Sequence, residues 1–189
     1  LGNRSLAVIR DALESIRENT GKELDYAGLN PIEDPATRDL LARGATMGVF
    51  YVESPAMRQL QQKTGRGDFE HLTLHSSIIR PAANRYIREY IRRLHGAPYE
   101  PLHPRLEELL AENYGILAYQ EDVVQVARIL AGFDWDLADG LRKVLSKKSP
   151  EQISAYRKRF YEGCARENIG RDVVDAVWDM IISFAGYSF

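Results

Sequence analysis

Leu6, Ile9, Leu13 and Ile16 recur at three- and four-residue intervals, so the hydrophobic pattern predicts an amphipathic helix over about 4–19, ended near Gly21. Asp34-Pro35 supplies an N-cap and a first-turn proline for a short helix that closes at Gly44. Ser54-Pro55 starts another, which stops at Gly65, and a further helix covers Phe69 to about Ile79, broken before Pro81. From Asn84 to Leu94 the stripe Ile87, Tyr90, Ile91 and Leu94 faces one way, with Arg85, Arg88 and Arg92 on the other side. The same period predicts helices at about 104–112, 120–131, 136–147, 150–168 and 171–184. The last carries a continuous stripe of Val173, Val177, Met180, Ile181 and Phe184. Met47 to Val52 is the one strand candidate, being short, β-branched and aromatic. His95 to Pro104 holds three prolines and a glycine and reads as the one long loop, a candidate subdomain seam. The fold class expected is mainly α, multi-helix, with at most a short strand element.

Composition narrows the setting. The 189 residues can bury a real core, and 44% apolar with 28% charged residues is ordinary for a globular chain. The net charge is −2, so any polyanion must be met by a patch and not by the whole surface. Cys164 is the single cysteine, which excludes an intrachain disulfide or a Cys-rich zinc site and suits a cytoplasmic location. No apolar run approaches the roughly 18–20 residues of a membrane helix, so no membrane partner is expected. The chain opens without Met and stops without a polar tail, which reads as an excised piece of a longer polypeptide.

Against that near-neutral background, seven cations (Arg142, Lys143, Lys147, Lys148, Arg157, Lys158 and Arg159) fall between Arg142 and Arg159, with Glu151 the single anion. On the helix from Asp136, Leu137, Leu141, Val144 and Leu145 form the core stripe. Lys143 and Lys147 fall roughly opposite it and Arg142 on its flank. Cations anchored this way suit phosphate: the guanidinium of Arg142 can take two oxygens at once, and the ammonium groups supply charge. The competing reading is an ordinary solvated face. His71 and His75 have metal-ligand spacing but no HExxH glutamate and no local third ligand, so they read as structural histidines. Cys164 falls on an apolar side with Tyr156 and Phe160 and reads as core. Glu53, after the strand candidate, is the one carboxylate singled out, and first-turn capping of the next helix is the better explanation of it. No glycine-rich phosphate loop and no nucleophile elbow is present. The residues alone describe a helical phosphate-binding surface without a self-contained catalytic centre.

Ordered motifs carry a resemblance. Gly48-Val49-Phe50-Tyr51-Val52-Glu53-Ser54 is similar to "GVFQLES", and Arg80-Pro81 to an "RPG" turn. Tyr114-Gly115-Ile116 through Tyr119-Gln120-Glu121 is similar to "YGVIVYQEQ". Gly132 to Lys148 is similar to "GYSLGEADLLRRAMGKKK", and Phe184-Ala185-Gly186-Tyr187-Ser188-Phe189 to "FAGYGF". In that order the chain resembles the fingers region of the bacterial C-family DNA polymerases, the alpha subunit of DNA polymerase III. The resemblance implies that residues 1–3 end the palm and 4–189 form the fingers domain. It implies a DNA-directed DNA polymerase that binds the incoming dNTP and the template-primer in replication or repair synthesis. Its magnesium ions would be held by palm carboxylates outside this chain, so the fragment alone would be inactive. Contacts with the sliding clamp and other replication proteins would also lie in missing regions.

By the same resemblance, Arg142 and Lys143 map onto two adjacent cations that face the triphosphate. Lys147 and Tyr187 join them as nucleotide-binding residues, Lys148 matches a trailing lysine, and Arg80 lies near DNA or nucleotide. With Lys148 and Arg80, the stripe Arg85, Arg88 and Arg92 would meet the nucleic-acid backbone. The chain departs from the family where Lys143 stands for a second arginine, Val144-Leu145-Ser146 for Ala-Met-Gly, and Ala82 for glycine, as in a divergent paralogue. A non-catalytic helical nucleic-acid-binding module or a protein-interaction domain would share the same cationic and apolar faces.

Overall fold

The computed structural model describes residues 2–80, 84–147 and 149–185, with side chains over 6–80, 84–147 and 149–184. Nine α-helices stand among the described residues: α1 (Gly2–Thr20), α2 (Pro35–Ala42), α3 (Pro55–Thr64), α4 (Phe69–Ile78), α5 (Asn84–Leu94), α6 (Gln120–Ala131), α7 (Trp135–Lys147), α8 (Pro150–Arg166) and α9 (Arg171–Ala185). The mainly α class expected from the sequence is therefore observed. Helix starts follow local chemistry. Asp34 accepts a hydrogen bond from the Thr37 N–H at 2.7 Å, and Asp68 from the His71 N–H at 2.9 Å. Pro35, Pro55 and Pro150 occupy first-turn positions, where a missing N–H costs nothing.

Two apolar clusters hold the helices together. The larger gathers α6 to α9: Ala127, Leu130 and Ala131 meet Leu141 and Leu145, Phe160 and Cys164, and Val177 and Ile181. The Phe160 ring stands 5.5 Å from Trp178 and 6.2 Å from Phe133, centroid to centroid, which fixes α8 against α9 and the α6–α7 turn. Gly163 sets the spacing of α8 on α6, because a Cβ there would stand 2.2 Å from the Ala131 carbonyl oxygen. The smaller cluster joins Leu60, Leu74, Ile78 and Tyr90 from α3 to α5. The chain passes between the two at Ile116-Leu117-Ala118. Ile116 and Ala118 enter the smaller cluster and Leu117 the larger, the alternation of an extended segment. Tyr86 packs on both.

α1 belongs to neither cluster. Leu6 is exposed, and Ile9, Leu13 and Ile16 are only half-buried, so its apolar stripe is left without a full cover.

Two expectations fail. The strand over Met47 to Val52 is a series of turns, and no strand occurs among the described residues. Gly48 and Tyr51 take positive φ (81° and 70°), and the Val49 and Glu53 N–H groups bond to the Thr46 and Val49 carbonyls, so the segment curls back on itself. The helix over 104–112 is one 3-10 turn, Pro104–Leu106, followed by turns. Leu106 and Leu110 are buried as a helix would bury them, yet Tyr114 (φ 55°) and Gly115 (φ 75°) turn the chain toward the Ile116 segment.

Candidate functional site

α7 is held between the Gly132 C-cap of α6 and the packing of Leu141 and Leu145. Asp134 opens it, accepting a hydrogen bond from the Leu137 N–H at 2.8 Å. The phase read from the sequence is observed, with Arg142 half-buried on the flank and Lys143 and Lys147 exposed. Asp139 organises the first two. Its Oδ1 accepts from Arg142 Nε at 2.8 Å, and its Oδ2 stands 2.7 Å from Lys143 Nζ. Hydrogen bonds from Lys143 and then Arg142 hold the Asp139 carboxyl below the usual carboxylate range. The other edge of the Arg142 guanidinium donates to Gln120 Oε1 at 3.0 Å.

Gln120 is itself fixed by a buried turn. Asp122, in the first turn of α6, accepts from the Ala118 and Tyr119 N–H groups, both at 2.8 Å, and from Asn113 Nδ2 at 3.0 Å. Burial pushes the Asp122 carboxyl up, and these three donors oppose that rise. α6 therefore enters at a fixed place, and Gln120 with it. The arrangement is a planar guanidinium oriented on two sides, an ammonium beside it, and a second ammonium, Lys147, one turn on. Such a set presents positive charge to a multivalent oxyanion.

The remaining sequence-predicted residues lie elsewhere. Arg80 is half-buried: its Nε donates to the Ser77 carbonyl at 2.8 Å, its Nη1 to the Phe184 carbonyl at 3.2 Å, and its guanidinium lies 3.8 Å from the Phe184 ring centroid. Burial lowers the Arg80 pKa. On α5, Arg85 faces Asp179 of α9 at 3.5 Å and Arg92 pairs with Glu89 at 2.9 Å, while Arg88 makes no ion pair among the described residues. No ion pair or hydrogen bond among the described residues links the α5 arginines to the α7 cations. Lys148 and Tyr187 lie outside the described residues, as does Pro81.

Asp139 and Gln120 are the members that sequence reasoning missed. Asp139 stands three and four residues before Arg142 and Lys143, the spacing at which helical charges meet, so a signal existed. Gln120 is 22 residues away and left none.

The second half of the basic segment is partly occupied. Arg157 donates to Tyr161 Oη at 3.3 Å, and Lys158 stands 4.0 Å from Glu162. Neither histidine is placed for metal binding. His71 Nδ1 meets Asp68 Oδ1 at 2.7 Å, and His75 Nε2 meets Tyr90 Oη at 3.0 Å in the core. Among the described residues no group of three or more His, Cys, Asp or Glu side chains stands close enough to hold an ion. Glu53 accepts from the Gly48 N–H at 3.1 Å, while Ser54 caps α3. No described helix is long and apolar enough to cross a membrane.

Comparison with known proteins adds a relationship. Residues 5–168 match the bacterial DNA polymerase III alpha subunit finger domain. Over its whole length the chain is 36% identical to the DNA polymerase III subunit alpha of Caulobacter vibrioides and covers 16% of it. It is 36% identical to that of Mycobacterium leprae, with 17% covered, and 33% identical to that of Staphylococcus aureus, with 18% covered. The chain thus spans about one sixth of the length of the curated relatives it matches.

Proposed function

The chain belongs to the bacterial DNA polymerase III alpha subunit finger-domain family, and on that premise we propose that α7 binds the triphosphate of an incoming nucleotide during template-directed DNA synthesis. The observation that carries this is the pair Arg142 and Lys143 held on one carboxylate. Arg142 offers its guanidinium edge to the β- and γ-phosphate oxygens, and Lys143 and Lys147 add charge. In phosphoryl transfer the protein's part is positioning and charge stabilisation, which this arrangement supplies. Lys143 stands as a point charge without the fork of an arginine, so Arg142 carries the orientation. In this reading the magnesium-binding carboxylates and the contacts with the sliding clamp belong to parts of the polymerase outside these residues. The exposed α5 cations Arg88 and Arg92 face the template-primer backbone in this reading.

The test is Arg142→Ala in the full-length polymerase. The apparent KM for all four nucleotides rises about tenfold or more, the range of a lost charge-assisted hydrogen bond, while thermal stability is retained. Arg142→Lys recovers part of the loss. Unchanged KM and kcat for every nucleotide would remove α7 from the nucleotide site.

A further inference from the structure

The turns that replace the expected strand carry the most exposed apolar surface of the described chain. Phe50 is 87% exposed, Met47 72% and Tyr51 60%. These side chains are not on a slack loop. Thr46 Oγ1 donates to the Val52 carbonyl at 2.6 Å, Gly48 N–H to Glu53 Oε2 at 3.1 Å, and Arg58 Nε to the Gly44 carbonyl at 2.9 Å. Tyr51 is held at φ 70°, a conformation that a bulky residue keeps only where its surroundings impose it. The Phe50 and Tyr51 rings stand 6.5 Å apart, tilted at 51°, and both are exposed.

Two guanidinium groups stand near the loop. Arg58 Nη1 stands 3.8 Å from Met47 Sδ. Tyr51 Oη donates to the Ser76 carbonyl at 3.4 Å, and Arg80 Nε to the next carbonyl, Ser77, at 2.8 Å, so Tyr51 and Arg80 dock side by side on the end of α4. The oxygen partners of Arg58 and Arg80 among the described residues are backbone carbonyls, not carboxylates. The loop's own carboxylate, Glu53, is turned onto the Gly48 amide.

Exposed rings fixed beside guanidinium groups without carboxylate partners match the chemistry of a single nucleic-acid strand, whose bases stack and whose phosphates seek cations. We infer that the loop over 47–51 is a stacking platform for an unpaired base of the template strand, with Arg58 facing the adjacent phosphate. This rests on the polymerase reading above and adds a second contact to it, remote in sequence from α7.

Phe50→Ala in the full-length polymerase tests it. Binding is measured to a primer-template with an unpaired template overhang and to a blunt duplex of the same paired length. Affinity for the overhang substrate falls about 5- to 50-fold, affinity for the blunt duplex is unchanged, and Phe50→Trp restores binding. A template bearing 5-iododeoxyuridine in the overhang also cross-links to the peptide holding Phe50 and Tyr51. An overhang affinity in the Ala variant unchanged from the parent overturns the inference, as does a benzophenone at position 50 that cross-links to protein, whether another part of the polymerase or a second copy. An unaffected Phe50 variant beside an impaired Arg142 variant removes the platform and leaves the nucleotide site standing. The converse result removes the nucleotide site alone.

Discussion

Asp139 and Arg142 face each other one turn apart on α7, Oδ1 to Nε at 2.8 Å, and the same carboxylate holds Lys143 through its other oxygen. A multivalent anion arriving at α7 must compete with Asp139 for both cations. Asp139→Asn removes that competitor and keeps the shape. We expect the nucleotide KM of the full-length enzyme to fall about two- to fivefold at low salt, with the difference vanishing at high ionic strength. Steady-state kinetics at two salt concentrations check this, and a rise in KM would assign Asp139 a positioning role instead.

Gly163 gives a prediction about packing. Alanine ordinarily favours a helix over glycine by about 1 kcal/mol, which would argue for stabilisation. Here the added Cβ meets the Ala131 backbone, which cannot swing aside as a side chain would. Gly163→Ala should therefore destabilise the domain by about 1–3 kcal/mol, read as a lower midpoint in urea. Gly140, whose Cβ would meet the hydroxyl end of Tyr156, should tolerate alanine better.

His75 makes stability depend on pH. Burial lowers its pKa from 6.5 to about 4, and the ring of His71 pushes in the same direction. In the unfolded chain a histidine takes up its proton near pH 6.5, so between about pH 6.5 and 4 the unfolded state binds more protons and acid favours unfolding. The contribution is whole above about pH 6.5, declines through that window and is gone below about pH 4. Its size is on the order of 3 kcal/mol. Urea midpoints measured from pH 7 to 4 should fall in the parent chain and flatten in His75→Gln.

Cys164 is fully buried, and burial pushes its thiol up to about 11. At neutral pH it should resist maleimide in the folded state and react promptly once denaturant opens the larger cluster. Labelling in native buffer at the rate of a free peptide thiol would contradict the packing of α8 on α6 and α9.

Helix starts and α7 were legible because their determinants are local. Asp34-Pro35 and Ser54-Pro55 act within one turn, Pro150 sits in the first turn of α8, and the positions of Leu141 and Leu145 follow from period alone. The turn over Met47 to Val52 was misread because Val49, Phe50, Tyr51 and Val52 have strand character, whereas its shape comes from Glu53, Thr46 and Arg58 reaching across the loop. Residues 104–112 carry a helical pattern for the opposite reason. The Leu106 and Leu110 contacts expected of a helix are present, supplied by turns with the Leu110 N–H on the Leu106 carbonyl. At the candidate site the cations could be read from phase, while Gln120 required the fold, since a contact across 22 residues leaves no periodic trace.

Arg80 bears on the order in which this chain can be completed. Its bonds to Phe184 close a circuit of 104 residues, the longest-range side-chain contact described here. Contacts of such separation are entropically costly until the intervening chain is already compact. As the polypeptide emerges during synthesis, α3 to α5 can assemble early, but Arg80 has only its local bond to the Ser77 carbonyl until α9 has arrived. The clasp therefore forms late among the described contacts, and it ties the end of α4 to the last described turn of α9.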